Sequence, residues 1–205
     1  RAGIKNAIEV KIQPDDAEWD AGDIRYNVLR WTSSPNAPFG GYGPSFVNPR
    51  TGEIIGADIM LEWVYATNRL TINDIFNSSH LSTECSIGNL MQEGNMMSYL
   101  TSLDKDDPEI LKQSIIRLTL HEVGHTLGLN HNFKASFLHD SKNVHNKELT
   151  QKVGLTGSVM EYPAVNIAPL GVEQGDYYDT RTGPYDLWAI EFGYTPQLTE
   201  EERRN

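Results

Sequence analysis

Three things are scarce in this sequence, and each shortage excludes a class of protein. Cys85 is the only cysteine in 205 residues, so the chain cannot form an internal disulfide, and the redox compartment stays open. Lys and Arg number 17 against 28 Asp and Glu, and the net charge of −11 argues against a nucleic-acid partner. No run of residues approaches the roughly 18 apolar residues of a membrane span. We therefore predict neither nucleic-acid binding nor a membrane span.

The length predicts one domain. A chain of 205 residues with 39% hydrophobic content can bury one sizeable core. It begins at Arg1, without an initiator methionine or a signal peptide. We therefore expect a mature product or a domain of a longer protein, with flanking domains in the full-length chain.

The segment from residue 121 to residue 131 reads HExxHxxGxxH. On a helix, His121 and His125 project from one face, one turn apart, and Glu122 is offset by about 100° of rotation. Gly128 can adopt the left-handed conformation that ends a helix, so the turned chain can return His131 as a third ligand. Three neutral imidazoles leave a fourth zinc position open, which is typical of catalytic rather than structural zinc.

The residues before the motif predict the helix that carries it. Asp107-Pro108-Glu109 is a good helix start, with Asp107 as N-cap and Pro108 at the first helical position. An apolar stripe follows at helical spacing and is expected to face the core: Ile116, Leu120, Val123 and Leu127. Val123 lies about 200° around the helix from His121, so the histidines are predicted to point away from that stripe.

Other segments give coarser predictions. Strands are expected at residues 7–12, 24–31, 46–47 and 52–63, with a turn at 48–51, a rim loop at 33–44, helices at 146–153 and 185–192, and a long loop at 163–184. Leu187, Ile190 and Trp188 are expected to pack beneath the site. The acidic run 104–107 lacks EF-hand spacing and predicts a solvated cap rather than a calcium site. His80, His139 and His145 have no ligand partners at useful spacing and are predicted to be surface residues.

The motif HEVGHTLGLNH, followed by Ser158-Val159-Met160-Glu161-Tyr162, resembles the metzincin zinc peptidases, which have a methionine turn below the metal. The longer strings HEVGHTLGLNHNFKAS, GSVMEYP and GPYDLWAIEFGY resemble the Met-zincin domain of large exported bacterial zinc-dependent metalloproteases. The likeness extends from Ile24 to Tyr194.

The resemblance implies a role for each matching residue. His121, His125 and His131 would bind Zn²⁺, and Glu122 would be the general base. Met160 would pack below the imidazoles without binding the metal.

Two further positions are less determined by the resemblance. Tyr162 stands where the astacin-like and serralysin-like groups have a tyrosine that binds zinc at rest and then stabilises the oxyanion. It is equally consistent with a turn residue whose hydroxyl is bonded locally. Asn132 matches none of the best-known groups at the position after the third histidine, so their substrate preferences do not transfer.

The implied fold is an α/β (α+β) metzincin-like catalytic domain. It would have a twisted mixed sheet, a central zinc helix and a smaller, irregular C-terminal lobe. The N-terminal subdomain would cover about residues 1–128 and the C-terminal subdomain about 129–205. Residues 43–47 are either the sheet edge that binds the substrate backbone or an ordinary connection.

The implied function is a zinc-dependent endopeptidase acting on peptide or protein substrates, with Glu122 and Tyr162 as catalytic residues. The resemblance also implies export, as a secreted, periplasmic or cell-surface protein. Two alternatives stay open from the sequence. One is a zinc-containing module that binds peptides or glycoproteins without cutting them, and the other is a zinc amidase acting on non-peptide amides.

Overall fold

The structure is a computed structural model that describes residues 4–35, 37, 39–66 and 108–195. It contains a mixed sheet and several helices, an α+β architecture that confirms the predicted fold class. The strands are β1 (Val28–Thr32), β2 (Gly41–Tyr42), β3 (Ser45–Val47) and β4 (Ile54–Glu62). The helices are α1 (Trp63–Ala66), α2 (Pro108–Thr126), a 3-10 turn (Ala135–Leu138), α3 (Lys147–Val153) and α4 (Pro184–Tyr194).

Strand β4 is the centre of the described sheet. It pairs in parallel with β1, with Leu29 opposite Ile59, and antiparallel with β2 and β3 on its other side. Ile59 and Leu61 point to the same face, as the period of two requires, and both are buried. They form the core together with Tyr65 and with Leu118 of α2. The sheet therefore packs directly on the helix that carries the histidine motif.

The predicted hairpin is confirmed, and the strand predicted at 24–31 is shorter than expected. Asn48 exchanges backbone bonds with Glu53 and Gly52 across the turn, where Gly52 has a φ of 77°. Strand β1 begins only at Val28. Asn27, just before it, uses its side-chain oxygen to accept the N–H of Ala57. The rim loop at 33–44 also contains the short strand β2.

The strand predicted at residues 7–12 is wrong. This segment belongs to no strand, and Ile8, Val10 and Ile12 are exposed, Val10 by 90%. Alternating apolar residues show that a segment is suited to a sheet, but the strand forms only where an edge accepts it. Among the described strands, none pairs with this segment.

Helix α2 is described from Pro108 onward, and Asp107, its predicted N-cap, lies outside the described residues. Its buried face differs from the predicted stripe, because Ile116, Leu120, Val123 and Leu127 are all only half-buried. The buried residues are instead mostly polar: Gln113, Ser114, Arg117, Leu118, His121, Glu122 and Gly124. The C-terminal lobe supplies hydrogen-bond partners for Gln113, Arg117 and His121, which allows these polar side chains to be buried.

The C-terminal lobe has few regular elements, as predicted. Helix α3 begins after its N-cap Asn146 and ends at Gly154, which has a φ of 118°. Residues 163–183 form a long loop without helix or strand. Two buried aspartates organise this lobe. Asp179 accepts bonds from the backbone N–H groups of Leu155 and Thr156, and Asp186 accepts bonds from Gly183 and Val159.

Helix α4 has the predicted position but not the predicted packing. Leu187 and Ile190 are half-buried, and Trp188 is 57% exposed. Asp186 is the only buried residue of this helix. The contact with the rest of the lobe is therefore a buried carboxylate at the first turn rather than an apolar face.

Two histidines predicted to lie on the surface are half-buried. His139 bonds through Nε2 to the carbonyl of Gly154, and Nδ1 of His145 is buried. Neither side chain is therefore fully exposed, contrary to the prediction of surface residues. His80 lies outside the described residues. So does the acidic run 104–107.

Candidate metal centre

Three histidines converge at the end of α2. The ligand atoms of His121, His125 and His131 all lie within 4.8 Å of one another. Nε2 of His125 is 3.0 Å from Nε2 of His131, near the ~3.4 Å expected for two nitrogens about 2.1 Å from one tetrahedral zinc. Gly128 has a φ of 85°, the left-handed conformation that turns the chain back toward His131. The arrangement matches the predicted ligand set.

Backbone carbonyls fix the orientation of two of these rings. Nδ1 of His121 lies 2.7 Å from the carbonyl of Val159, and Nδ1 of His125 lies 3.0 Å from that of Leu129. Because a carbonyl only accepts, each Nδ1 carries a hydrogen, and each Nε2 keeps its lone pair. Nε2 of His121 is buried and has no hydrogen-bond partner. A buried lone pair without a partner is the state expected of a metal ligand, so the residues fit a zinc ion.

The electrostatics of the cluster keep the imidazoles neutral. Burial, together with the charges of Arg117, His125 and His131, lowers the pKa of His121 to about 3, although the bond to Val159 opposes this shift. Burial also lowers the pKa of His125 and of His131. Neutral imidazoles are the form that binds metal, so these shifts favour metal over protons at the site.

Burial decreases from one histidine to the next. His121 is buried, His125 is half-buried and His131 is exposed. The cluster is therefore closed on the side of the helix and open to solvent on the side of His131. Within the part of the chain that the structure describes, this open side is where a ligand could approach the histidines.

Glu122 lies beside both the histidines and the sheet edge. Its carboxylate accepts the N–H of Gly43, and burial raises its pKa to about 7 despite this bond and the charge of Arg117. Neither Gly41 nor Gly43 has room for a side chain. A Cβ at Gly41 would lie 2.9 Å from Oε1 of Glu122, and one at Gly43 would lie 2.6 Å from its backbone oxygen. The segment 41–43 therefore holds the carboxylate against the helix.

Met160 lies beneath the cluster and is fully buried. Its sulfur rests against the backbone of Gly124, where a Cβ would overlap it. The turn that carries Met160 also supplies the carbonyl of Val159 that holds His121. The predicted methionine turn is thus in place, and its contact with α2 depends on a glycine within the motif.

Two aromatic rings lie at the open side of the cluster. The hydroxyl of Tyr162 is 2.6 Å from Nε2 of His131, one of the three candidate ligand atoms. Phe133 is 62% exposed and lies with its ring 6.0 Å from that of Tyr162 and 5.7 Å from that of His131. Phe133 could not be recognised from the sequence, because its spacing from His131 carries no known signal.

Other residues that shape the site were also missed. Arg117, one turn before His121, is buried and donates through Nη2 to the carbonyl of Glu161. The carboxylate of Glu161 accepts the N–H groups of Ser136 and Tyr162. These bonds join α2, the segment after His131 and the methionine turn. The sequence signal for Arg117 is weak: it is a charged residue one turn before His121 on the predicted helix.

This geometry defines the class of protein. A zinc helix, a glycine turn to a third histidine and a methionine turn beneath them are the parts of a metzincin-type zinc metalloprotease. The Met-zincin family model matches residues 103–205, half of the chain, and the protein belongs to that family. No curated protein and no solved structure matches the chain. Among the described residues, no helix is long and apolar enough to cross a membrane.

Proposed function

We propose that the protein is a zinc-dependent endopeptidase with Glu122 as general base. The observation that carries the proposal is a buried carboxylate next to a cluster of three neutral imidazoles. Glu122 follows His121 directly in sequence, and Gly43 of the sheet edge donates a hydrogen bond to it. A module that only binds peptides has no need of a desolvated carboxylate at this position.

His121, His125 and His131 would hold the zinc through their Nε2 atoms. When bound, zinc supplies Lewis acidity to the scissile carbonyl and to the attacking water. Glu122 takes a proton from that water, holds it on a carboxylate oxygen and delivers it to the leaving amine. A base with a pKa near the working pH performs both transfers well, and burial moves the pKa of Glu122 toward that range.

Tyr162 is proposed to stabilise the oxyanion. Its hydroxyl lies 2.6 Å from Nε2 of His131 and is therefore within reach of any group bound at the cluster. A phenol there can donate a hydrogen bond to the negative oxygen that develops during attack. The contact of the hydroxyl with His131, a proposed ligand, supports this role over a purely local one.

The substrate backbone is proposed to lie along β2 and β3. These strands pair with β4 on one side only among the described strands, which leaves their outer groups available to an extended peptide. Gly43 lies between these two strands and bonds to Glu122. A peptide added to this edge would therefore pass directly in front of the general base.

Cleavage of a diverse peptide mixture by the zinc-containing protein, read by mass spectrometry, tests the proposal. We expect internal cuts by the wild type and none by Glu122→Ala at equal zinc content. Substantial cutting by Glu122→Ala would remove Glu122 as the base. A wild type that binds one zinc per chain but cuts nothing would instead support a binding module. Cuts confined to non-peptide amides would support an amidase.

The ligand set is tested separately. His131→Ala is expected to weaken zinc binding, because the cluster would keep only the two histidines of α2. The zinc content per chain, measured after dialysis, checks this. A variant with unchanged zinc content would show that the third ligand is a different residue.

A further inference from the structure

A continuous chain of hydrogen bonds runs from His121 to a carboxylate on α4. Nδ1 of His121 lies 2.7 Å from the carbonyl oxygen of Val159. The N–H of the same peptide unit belongs to Met160 and lies 3.1 Å from Oγ of Ser158. Oγ of Ser158 lies 2.5 Å from Oδ1 of Asp186. His121, Ser158, Met160 and Asp186 are all buried, so water does not compete for these bonds.

The hydrogens in this chain all point toward Asp186. A carbonyl oxygen only accepts, so Nδ1 of His121 donates to Val159. The backbone N–H of Met160 only donates, so Ser158 accepts at Oγ and its own hydrogen is free for Asp186. Oδ1 of Asp186 accepts this hydrogen and is the end of the series of bonds. Aligned bonds of this kind polarise one another and strengthen each step.

We propose that Asp186 is a positioning residue for zinc binding, acting on His121 through Ser158 and the peptide between Val159 and Met160. Metal-binding histidines commonly donate their second nitrogen to a carboxylate, which fixes the tautomer and makes the ligand atom more basic. Here the carboxylate acts through a hydroxyl and a peptide unit. The relay, His121 to Asp186, rests on the proposed ligand set but not on peptide cleavage.

The lobe contains a matched carboxylate outside the relay. Asp179 is buried like Asp186 and, like it, accepts two backbone N–H groups and one hydroxyl. Its partners are Leu155 and Thr156, neither of which contacts a histidine of the cluster through a described hydrogen bond. Losing either aspartate should cost similar folding stability, but only the loss of Asp186 should alter His121.

The hydroxyl of Ser158 also has a matched control. Ser114 is buried on α2, two turns before His121, and its hydroxyl donates to the carbonyl of Leu111. Ser158→Ala and Ser114→Ala each remove one buried hydroxyl. Only the first change interrupts the relay.

The test compares zinc dissociation constants, measured by competition with a chromophoric chelator, for Asp186→Asn and Ser158→Ala against Asp179→Asn and Ser114→Ala. We expect the relay variants to bind zinc about 10- to 100-fold more weakly than the wild type, the range typical for groups that orient metal ligands. The control variants should stay within about threefold. Unfolding temperatures of the zinc-free proteins show whether each relay variant and its matched control lose the same folding stability.

Ser158→Cys provides a graded variant should Ser158→Ala fold poorly. A thiol is a weaker donor and acceptor of similar size, so its zinc affinity should lie between those of serine and alanine. Equal weakening in relay and control variants, or none in the relay variants, overturns the proposal. A wild type that binds zinc but cuts no peptide contradicts the endopeptidase proposal alone, because the relay is measured by zinc affinity.

Discussion

Replacing Glu122 with Gln should abolish turnover and stabilise the zinc-free protein at alkaline pH. Burial raises the pKa of Glu122 from 4.5 to about 7, so the folded protein binds this proton more tightly than the unfolded chain does. A raised carboxyl pKa contributes stability below about pH 4.5, and that contribution is lost as the pH rises through 7. Glutamine avoids this loss because it is never ionised.

The size of the effect follows from the pKa values. Each pKa unit corresponds to about 1.4 kcal/mol. At pH 8 the free energy of unfolding of the wild type should be roughly 3 kcal/mol below that of the Gln variant. At pH 5 the difference between the two proteins should be under about 1 kcal/mol. All other ionisable groups are present in both proteins. Their contributions therefore cancel in the difference.

The assay is urea denaturation of both zinc-free proteins at pH 5 and at pH 8. The difference in unfolding free energy should grow by about 2 to 3 kcal/mol between the two pH values. Glutamine can still accept the N–H of Gly43, so the local structure should be kept. A difference that is the same at both pH values would refute the reasoning, because it would mean that Glu122 is not desolvated in the folded protein.

Three further changes have defined outcomes. Gly124→Ala should lower the free energy of unfolding by about 1–3 kcal/mol, because the new Cβ overlaps Met160. The control Gly193→Ala meets no atom within 4 Å and should be neutral or slightly stabilising. Equal denaturation midpoints for the two variants would contradict this prediction. Tyr162→Phe should lower kcat by about 10- to 100-fold with zinc content unchanged, and an unaltered kcat would leave the hydroxyl without a catalytic role. Chelation of zinc should lower the unfolding temperature, because the ion binds only the folded cluster. Scanning calorimetry with and without zinc measures this shift, and equal unfolding temperatures would contradict the prediction.

The sequence predicted those parts of the site that depend on local geometry. The spacing of His121 and His125 on one helix face, and the left-handed turn at Gly128, are consequences of backbone geometry within eleven residues. The hairpin at Asn48 and the short helix predicted at residues 146–153 are local in the same sense. Each could be derived because no distant residue has to be known.

The buried face of α2 could not be predicted, because its partners are distant in sequence. Arg117 bonds to Glu161, 44 residues later, and Gln113 bonds to the N–H of Tyr177, 64 residues later. A prediction from apolar periodicity assigns such polar positions to solvent. The stripe predicted for α2 therefore fell on the half-buried side of the helix. The division into subdomains at residue 128 and the export of the protein stay predictions.

Glycines bring both α2 and the start of α4 into close contact with the methionine turn. Gly124 lies against the sulfur of Met160, and Gly183 at the start of α4 lies against the backbone of Gly157 and Ser158. These approaches leave room for no side chain, so polar groups satisfy one another across them at hydrogen-bond distance. Apolar side chains tolerate small shifts, whereas a relay of bonds between buried backbone groups fixes the position of each atom. A centre that must hold His121 in one orientation is therefore better served by glycines and buried carboxylates than by a larger apolar core.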